Sequence, residues 1–226
     1  MNTRIIAIGD IHGCCKTFNK LLFDNLGIER TDEIFCLGDY IDRGFDSKGV
    51  VDLILKLRSD GFRIHTLRGN HEQLMMDSLL DTEIFQNWVL LGGNRTLKSF
   101  GVENYAELQP SYRAFFESTQ LYIEHENFIF VHAGLNFNRV NIFEDQEAML
   151  WIRSMNINPQ KLAGRILIHG HHPKPVSEII KQEIAGEINI DGGCVYKHSK
   201  TLGSLVALNL TEGKFLVERN CEDPGA

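Results

Sequence analysis

Small polar clusters that combine Asp, Asn and His with glycine recur along the chain, and each follows a short apolar run. They are GDIHG (9–13), GDYIDRG (38–44), RGNHE (68–72), HAG (132–134) and HGHH (169–172). Side chains of these types bind divalent metal ions and transfer protons. A single Gly-Asp or a lone His after a strand is usually a turn or a hydrogen-bonded structural residue. Five clusters in equivalent positions instead favour one shared site.

The elements that must position these clusters are short strands and helices. Helical periodicity covers 17–26, 48–57 and 111–119, and the first three strands alternate with helices, which predicts a parallel α/β layer. The later strands, joined by tight turns, predict a mixed or second sheet. Ligands bind beyond the carboxyl ends of strands in open α/β sheets, so the five clusters are expected on one rim. Runs rich in β-branched residues predict strands at 4–8, 33–37, 63–67, 127–131, 165–168, 187–190, 204–210 and 214–218.

Residues 73–120 interrupt this rhythm with helical periodicity, and we interpret them as a mostly helical insertion. We find no repeat, low-complexity tract or Pro/Ser-rich linker in the sequence. The chain is therefore predicted to form a single catalytic domain over 1–226. Residues from 220 onward are predicted to form a mobile tail.

The types of ligand indicate which metals would bind. Carboxylates, imidazoles and an amide oxygen, without thiolate, suit Mn²⁺, Fe²⁺ or Zn²⁺ rather than a structural thiolate zinc site. Six such ligands are too many for one catalytic ion that must keep a position open. They suffice for two ions that share a bridging carboxylate. The residues therefore predict a dinuclear hydrolase.

Composition and missing motifs exclude other classes. The net charge of −7 disfavours a nucleic-acid binder, although it leaves room for a local phosphate site. No phosphate loop, GxSxG elbow or GxGxxG turn is present. The five cysteines lack CxxC spacing, which disfavours a disulfide framework. The sequence contains neither a signal peptide nor a 20-residue apolar stretch. We therefore expect no membrane association and a cytoplasmic location. A phage protein or a secretion-system substrate would have the same sequence features.

Taken in order, these clusters resemble the motif set of the phosphoprotein phosphatase family of Ser/Thr protein phosphatases. The likeness is greatest to its small bacterial and phage branch, typified by the phage lambda phosphatase. GNHEQLMMD, WVLLGGN, LWIR and IDGGCVY also resemble that branch, so the likeness spans nearly the whole chain. The resemblance implies a calcineurin-like metallophosphoesterase fold, in which an α/β/β/α arrangement places a β-sandwich between helices.

The resemblance also assigns roles to the metal ligands. Asp10, His12 and Asp39 would bind one ion, with Asp39 bridging to a second ion, and Mn would be the first choice of metal with Fe, Zn or Mg as alternatives. A water activated between the ions would attack phosphorus in line with the leaving group. The remaining ligands of the second ion would be Asn70, His132 and His171.

The leaving alkoxide requires a proton and the phosphoryl oxygens require cations. By the same resemblance, His71 is predicted to be the general acid, oriented by Asp42. Arg43, Arg153 and Asn70 are predicted to bind the phosphoryl group. A structural role is expected for Arg68. His169 and His172 are expected either to be structural or to support the metal ligands from outside the centre.

Two other functions remain open. Symmetrical diadenosine tetraphosphate hydrolases share GDxHG and GNH, but they typically depart from the family pattern at GDYIDRG and after GNH, so the intact motifs favour a phosphomonoester. A catalytically dead phosphoprotein-binding scaffold should have lost a ligand or the general acid, and none is missing. We expect phosphorylated protein substrates, with Ser/Thr against Tyr preference open, and a monomer without a regulatory subunit.

Overall fold

The computed structural model describes residues 3–223, whose strands form two sheets. The strands are β1 (Ile5–Ile8), β2 (Glu33–Cys36), β3 (Arg63–Thr66), β4 (Tyr122–His125), β5 (Phe128–Val131), β6 (Ile166–His169), β7 (Glu187–Asn189), β8 (Ser204–Asn209) and β9 (Lys214–Arg219). The first sheet has the order β3-β2-β1-β8-β9, and the second has the order β4-β5-β6-β7. β1, β2 and β3 are parallel, as are β5, β6 and β7, whereas β4, β8 and β9 pair antiparallel.

The helices connect these strands and form the outer layers. They are α1 (Cys15–Lys20), which continues into a π-helical turn (Leu21–Asn25), α2 (Ser47–Ser59), α3 (Asn70–Asp77), α4 (Thr82–Trp88), which continues into a second π-helical turn (Val89–Gly93), α5 (Asn94–Phe100), α6 (Pro110–Glu117), α7 (Gln146–Trp151), α8 (Pro159–Leu162) and α9 (Val176–Ile179). A 3₁₀ turn, Tyr105–Glu107, precedes α6. The segment between β3 and β4 is thus mostly helical, as predicted.

Alternation of side chains along the strands divides the core into layers. In β1, Ile6 and Ile8 pack against the helices of the first sheet, whereas Ile5 and Ala7 face the second sheet. In β5, Phe130 lies between the sheets, and its neighbour Ile129 packs on the outer side. Strands covered on both faces read as continuous apolar runs, which is why the sequence identified them. The result is the predicted α/β/β/α sandwich.

The structure differs from the sequence prediction in two places. It contains one strand that the sequence does not predict, β4. This is an edge strand whose side chains are half-buried or exposed, so it carries no apolar run. The predicted mobile tail is wrong for residues 220–222. Asn220 donates to the carbonyl of Cys194 at 2.8 Å, and the carboxylate of Glu222 accepts from the backbone N–H of Thr17 at 2.8 Å. Residues 224–226 of that tail lie outside the described residues.

No helix within residues 3–223 is long and apolar enough to cross a membrane.

Candidate metal centre and active site

The loops that follow β1, β2, β3, β5 and β6 converge at one rim of the sandwich. Asp39, after β2, lies at the centre of this rim. Its Oδ2 is 3.3 Å from Nε2 of His12, which follows β1, and its Oδ1 is 3.6 Å from Nε2 of His132, which follows β5. Oδ1 also accepts from the backbone N–H of His71 at 3.2 Å. One carboxylate therefore touches groups delivered by three other strands, as its predicted bridging role requires.

Several of these residues have a left-handed backbone, which is uncommon for residues other than glycine. The φ angles are 48° at His12, 50° at Asp39, 69° at Asp42, 64° at Arg43 and 66° at His171. Such conformations cost about 1–3 kcal/mol each and persist only where the surroundings impose them. Their concentration at the rim indicates that the fold holds these side chains in place for a function.

Glu72 fixes the turn that carries Asp39. Its carboxylate accepts from the backbone N–H groups of Asp39 at 2.8 Å, Tyr40 at 2.8 Å and Gly69 at 2.9 Å. Burial, together with the charge of Asp39, raises the pKa of Glu72 to about 8. A Cβ at position 69 would overlap the Asp39 carboxylate, which explains the glycine. The Gly and Glu of RGNHE thus hold the centre together, a role that sequence reasoning did not assign to them.

The tautomers of two histidines leave lone pairs directed into the centre. Nδ1 of His12 is 2.8 Å from the carbonyl of Ile41, and Nδ1 of His132 is 2.8 Å from the carbonyl of Leu37. A carbonyl only accepts, so Nδ1 carries the proton and Nε2 keeps the lone pair, the usual arrangement of a metal-binding imidazole. The lone pair of His12 accepts from Nη1 of Arg43 at 2.9 Å, and a bound metal ion would replace this contact. Nε2 of His132 then faces Oδ1 of Asn70 at 2.9 Å. Two acceptors at this distance are stabilised by a cation that both of them bind.

His171 completes this half of the centre. Its Nδ1 is 3.0 Å from Oδ1 of Asn70, and its Nε2 has no hydrogen-bond partner although it is buried, as judged over residues 3–223. Burial lowers the pKa of His171 and of His12 to about 3, and it also lowers the pKa of His132. All three imidazoles are therefore neutral near pH 7, the protonation state in which they bind metals.

The buried carboxylates also require a compensating positive charge. Asp10 accepts from the backbone N–H of His171 at 3.0 Å, and burial, together with Asp191 and Asp39, raises its pKa well above the usual range. Burial raises the pKa of Asp191 to about 7, although its carboxylate accepts from the backbone N–H of Gly193 at 2.8 Å. Divalent cations would stabilise ionised carboxylates crowded in this way. The donor set therefore fits the predicted metals.

His71 lies as close to this centre as the predicted ligands but differs in its electrostatics. Possible ligand atoms of His12, Asp39 and His71 lie within 4.8 Å of one another, as do those of Asp39, His132 and His171. Nδ1 of His71 is 2.6 Å from Oδ2 of Asp42. Burial alone would lower the pKa of His71, but the charges of Asp39 and Asp42 outweigh it and raise the pKa. A protonated imidazole can donate a proton and cannot ligate, which favours the acid role.

The helical segment between β3 and β4 holds Asp42, a contact that sequence reasoning missed. Nε1 of Trp88, the last residue of α4, donates to Oδ2 of Asp42 at 2.8 Å, and the hydroxyl of Thr96, in α5, donates to Oδ1 at 2.6 Å. Gly93 lies against the Trp88 ring, where a Cβ would overlap the indole. The signal was present in WVLLGGN, which the resemblance included without a role for any of its residues.

The predicted phosphate-binding arginines lie at the edge of the centre. Arg43 donates from Nη1 to Nε2 of His12 at 2.9 Å, and Arg153, which is exposed, lies near enough to lower the pKa of His171. Arg68 instead binds Gln73 at 3.0 Å and Thr119 at 3.1 Å, in keeping with the expected structural role.

His169 and His172 flank the predicted ligand His171 in the sequence. No catalytic role was predicted for either residue. His169 is buried and paired with Glu187, whereas His172 is exposed.

The two packed sheets and the two groups of possible metal ligands define an α/β/β/α sandwich with a candidate dinuclear metal site. The chain belongs to the calcineurin-like phosphoesterase family, whose sequence profile matches residues 3–208. It is thus a metallophosphoesterase, a hydrolase family that uses divalent metal ions.

Proteins with similar sequences are named for different phosphoesterase activities. The asymmetrical bis(5′-nucleosyl)-tetraphosphatase PrpE of Oceanobacillus iheyensis is 23% identical, over 88% of this chain and 87% of its own length. Serine/threonine-protein phosphatase 1 of Salmonella typhimurium is 36% identical over 39% of this chain and 38% of its own length. A zinc-dependent endopolyphosphatase of Saccharomyces cerevisiae is 33% identical over 39% of this chain, but the match spans only 26% of that protein.

Solved structures confirm the fold. A structure described as a putative diadenosine tetraphosphatase superposes with a TM-score of 0.65 at 17% identity, covering 98% of this chain and 95% of its own. A protein serine/threonine phosphatase from Saccharomyces cerevisiae superposes with a TM-score of 0.64 at 17% identity, covering 99% of this chain and 82% of its own.

Proposed function

We propose that this metallophosphoesterase is a protein phosphatase that hydrolyses phosphoserine and phosphothreonine, and acts as a monomer without a regulatory subunit. The observation that carries the proposal is the buried pair of His71 and Asp42, 2.6 Å apart beside the metal-binding groups. A Ser or Thr alkoxide is a strong base and leaves only when it is protonated, so a positioned acid accelerates its departure about 10²–10⁴-fold. Polyphosphate leaving groups are much weaker bases and have less need of such an acid.

Each side chain then has a separate task. Two divalent cations, preferably Mn²⁺, would supply Lewis acidity and lower the pKa of the attacking water. The residues that would hold them are Asp10, His12, Asp39, Asn70, His132 and His171. His71 gives its proton from Nε2 to the leaving oxygen, while Asp42 keeps the proton on Nδ1. Arg43 and Arg153 bind the phosphoryl oxygens, for which the planar guanidinium is well suited.

A second candidate is hydrolysis of dinucleoside polyphosphates. The observation that favours it is the match to the bis(5′-nucleosyl)-tetraphosphatase of Oceanobacillus iheyensis, which covers most of both chains. That match is 23% identical, and the shorter match to the Salmonella typhimurium protein phosphatase is 36% identical. The acid pair and the intact GDYIDRG and GNHE motifs lead us to prefer the phosphomonoester.

One parallel assay separates the two candidates. Protein loaded with Mn²⁺ would be given phosphoserine, phosphothreonine and phosphotyrosine peptides and, separately, diadenosine tetraphosphate. We expect kcat/KM for the phosphoserine and phosphothreonine peptides to exceed the value for the dinucleotide at least tenfold. A higher kcat/KM for the dinucleotide would contradict the proposal.

A further inference from the structure

A cavity of about 190 Å³ opens beside the candidate metal centre and is separate from it. Its wall includes Ala133, which follows the predicted ligand His132, and His172, which follows the predicted ligand His171. At about 30 Å³ for each water, the cavity has room for about six waters, enough for a carboxylate or phosphate group. Any group that enters it would lie close to the predicted ligands His132 and His171, and therefore close to the proposed phosphoryl site.

The charges that line this cavity favour an anion. Arg153 and Lys174 bring two positive charges, and Glu187 brings one negative charge. The carboxylate of Glu187 contacts His169, and this contact, together with the charge of Lys174, lowers the pKa of Glu187. Arg153 therefore leaves the cavity with one positive charge in excess. The chain as a whole has a net charge of −7, so a cavity with excess positive charge runs against its general surface.

The wall of the cavity is fixed by hydrogen bonds to residues near the centre. The backbone N–H of Lys174 donates to the carbonyl of Asp191 at 2.9 Å, and Nδ2 of Asn189 donates to the carbonyl of His172 at 3.0 Å. This segment leads directly from His171, so its position is coupled to that of the ligand. A preformed wall reduces the ordering cost of binding a charged group.

From this arrangement we infer that the cavity is a second anion subsite, which selects substrates carrying another anionic group close to the scissile phosphoryl group. The inference rests on the proposed function and adds a substrate class to it. In a phosphopeptide the anionic group is an Asp or Glu side chain, or a second phosphorylated residue. Arg153 lines the cavity and is also one of the two arginines proposed to bind the phosphoryl oxygens.

The test compares phosphoserine peptides that differ only in the neighbouring residues: neutral, acidic, basic or phosphorylated. For the wild-type protein we expect kcat/KM to be about three- to fivefold higher for the acidic or phosphorylated peptides than for the neutral one, as for a partly exposed ion pair. The acidic and phosphorylated arms show which group the subsite prefers. Equal values for all peptides would overturn the inference while leaving the proposed function intact.

Two variants of Lys174 make the test specific to this cavity. Lys174→Met keeps the aliphatic stem and should bring the ratio of acidic to neutral kcat/KM close to one. Lys174→Glu should reverse the preference toward basic peptides. The matched control is Lys214→Met, because Lys214 is an exposed lysine at the start of β9, and it should keep the wild-type ratio. An unchanged ratio in both Lys174 variants would overturn the inference.

A different result separates the two proposals. Turnover of diadenosine tetraphosphate without turnover of any phosphopeptide would contradict the proposed protein phosphatase. In that case the other phosphates of the dinucleotide would be the neighbouring anionic groups. A rise of about three- to fivefold in the KM for the dinucleotide in Lys174→Met would then support the anion subsite. An unchanged KM would overturn both.

Discussion

Four histidines, His12, His71, His132 and His171, lie around Asp39, and their surroundings divide them by pKa. Burial lowers the pKa of His12, His132 and His171, whereas Asp39 and Asp42 raise that of His71. Groups in one site whose pKa values are pushed apart usually have different tasks. The three neutral imidazoles suit metal binding, and the fourth suits proton donation.

Replacing the acid should affect substrates according to their leaving groups. We expect His71→Asn to lower kcat on a phosphoserine peptide about 10²–10⁴-fold while leaving the bound metal content unchanged. p-Nitrophenyl phosphate has a much better leaving group and should lose less. Steady-state kinetics and elemental analysis of the purified variant provide the two measurements.

The matched control is His125→Asn, a half-buried histidine on β4 in the second sheet. It should keep the wild-type kcat on both substrates. Near-normal turnover of the phosphopeptide by His71→Asn would show that the general-acid assignment is wrong.

The pH dependence of kcat should report the same pair. His71 acts when protonated, so kcat should hold through neutral pH and fall as pH rises through the raised pKa of His71. Asp42→Asn removes the nearest negative charge and lowers that pKa, so the fall should begin at a lower pH. If the alkaline limbs of the wild type and the variant coincide, Asp42 does not set the protonation of His71.

At the scale of elements, the segment from α4 to α5 acts as a support for the active site. Trp88→Phe keeps a ring in the core but removes the donor to Asp42. Hydrogen bonds to charged groups contribute about 1.5–3 kcal/mol, so we expect kcat to fall about 10- to 100-fold with a small change in KM. Steady-state kinetics on the phosphoserine peptide test this.

Phe85→Leu is the matched control, because Phe85 contacts the Trp88 ring edge-on but leaves its N–H in place. It should retain most of kcat. Equal losses in the two variants would mean that packing of the indole matters rather than its hydrogen bond.

A second element depends on its cap. Asp145 begins α7 by accepting from the backbone N–H of Ala148 at 3.0 Å, and α7 leads into Arg153. Asp145→Ala should lower the free energy of unfolding by about 1 kcal/mol, measured by urea denaturation. Asp145→Asn retains a good capping residue and should lose less, whereas equal losses would show that the cap is not the cause.

The sequence predicted the elements where local patterns carry the information. Strands covered on both faces appear as apolar runs, and the polar residues that follow them meet because parallel strands end at the same edge. The hydrogen bond from Trp88 to Asp42 joins residues 46 positions apart and leaves no periodic trace. The left-handed backbones at Asp39 and Arg43 are imposed by tertiary contacts, so they could not be predicted from the sequence.

For the whole molecule, the net charge is negative, whereas the proposed site must attract an anion. The chain carries a net charge of −7, and it buries Asp10, Asp39 and Asp191 at the same site that is proposed to bind an anionic phosphoryl group. Such carboxylates must either take up protons, as the raised pKa values of Asp10 and Asp191 indicate, or be offset by cations. Metal loading should therefore stabilise the whole fold as well as support catalysis.

The most direct test of the proposed dinuclear phosphatase is phosphoserine-peptide turnover measured against the number of Mn²⁺ ions bound to each chain. Metal-free protein would be titrated with Mn²⁺, with bound metal and initial rate recorded at every step. We expect negligible turnover without metal and a maximum when two ions are bound. Full turnover with one ion, or turnover that survives complete removal of metal, would contradict the dinuclear centre.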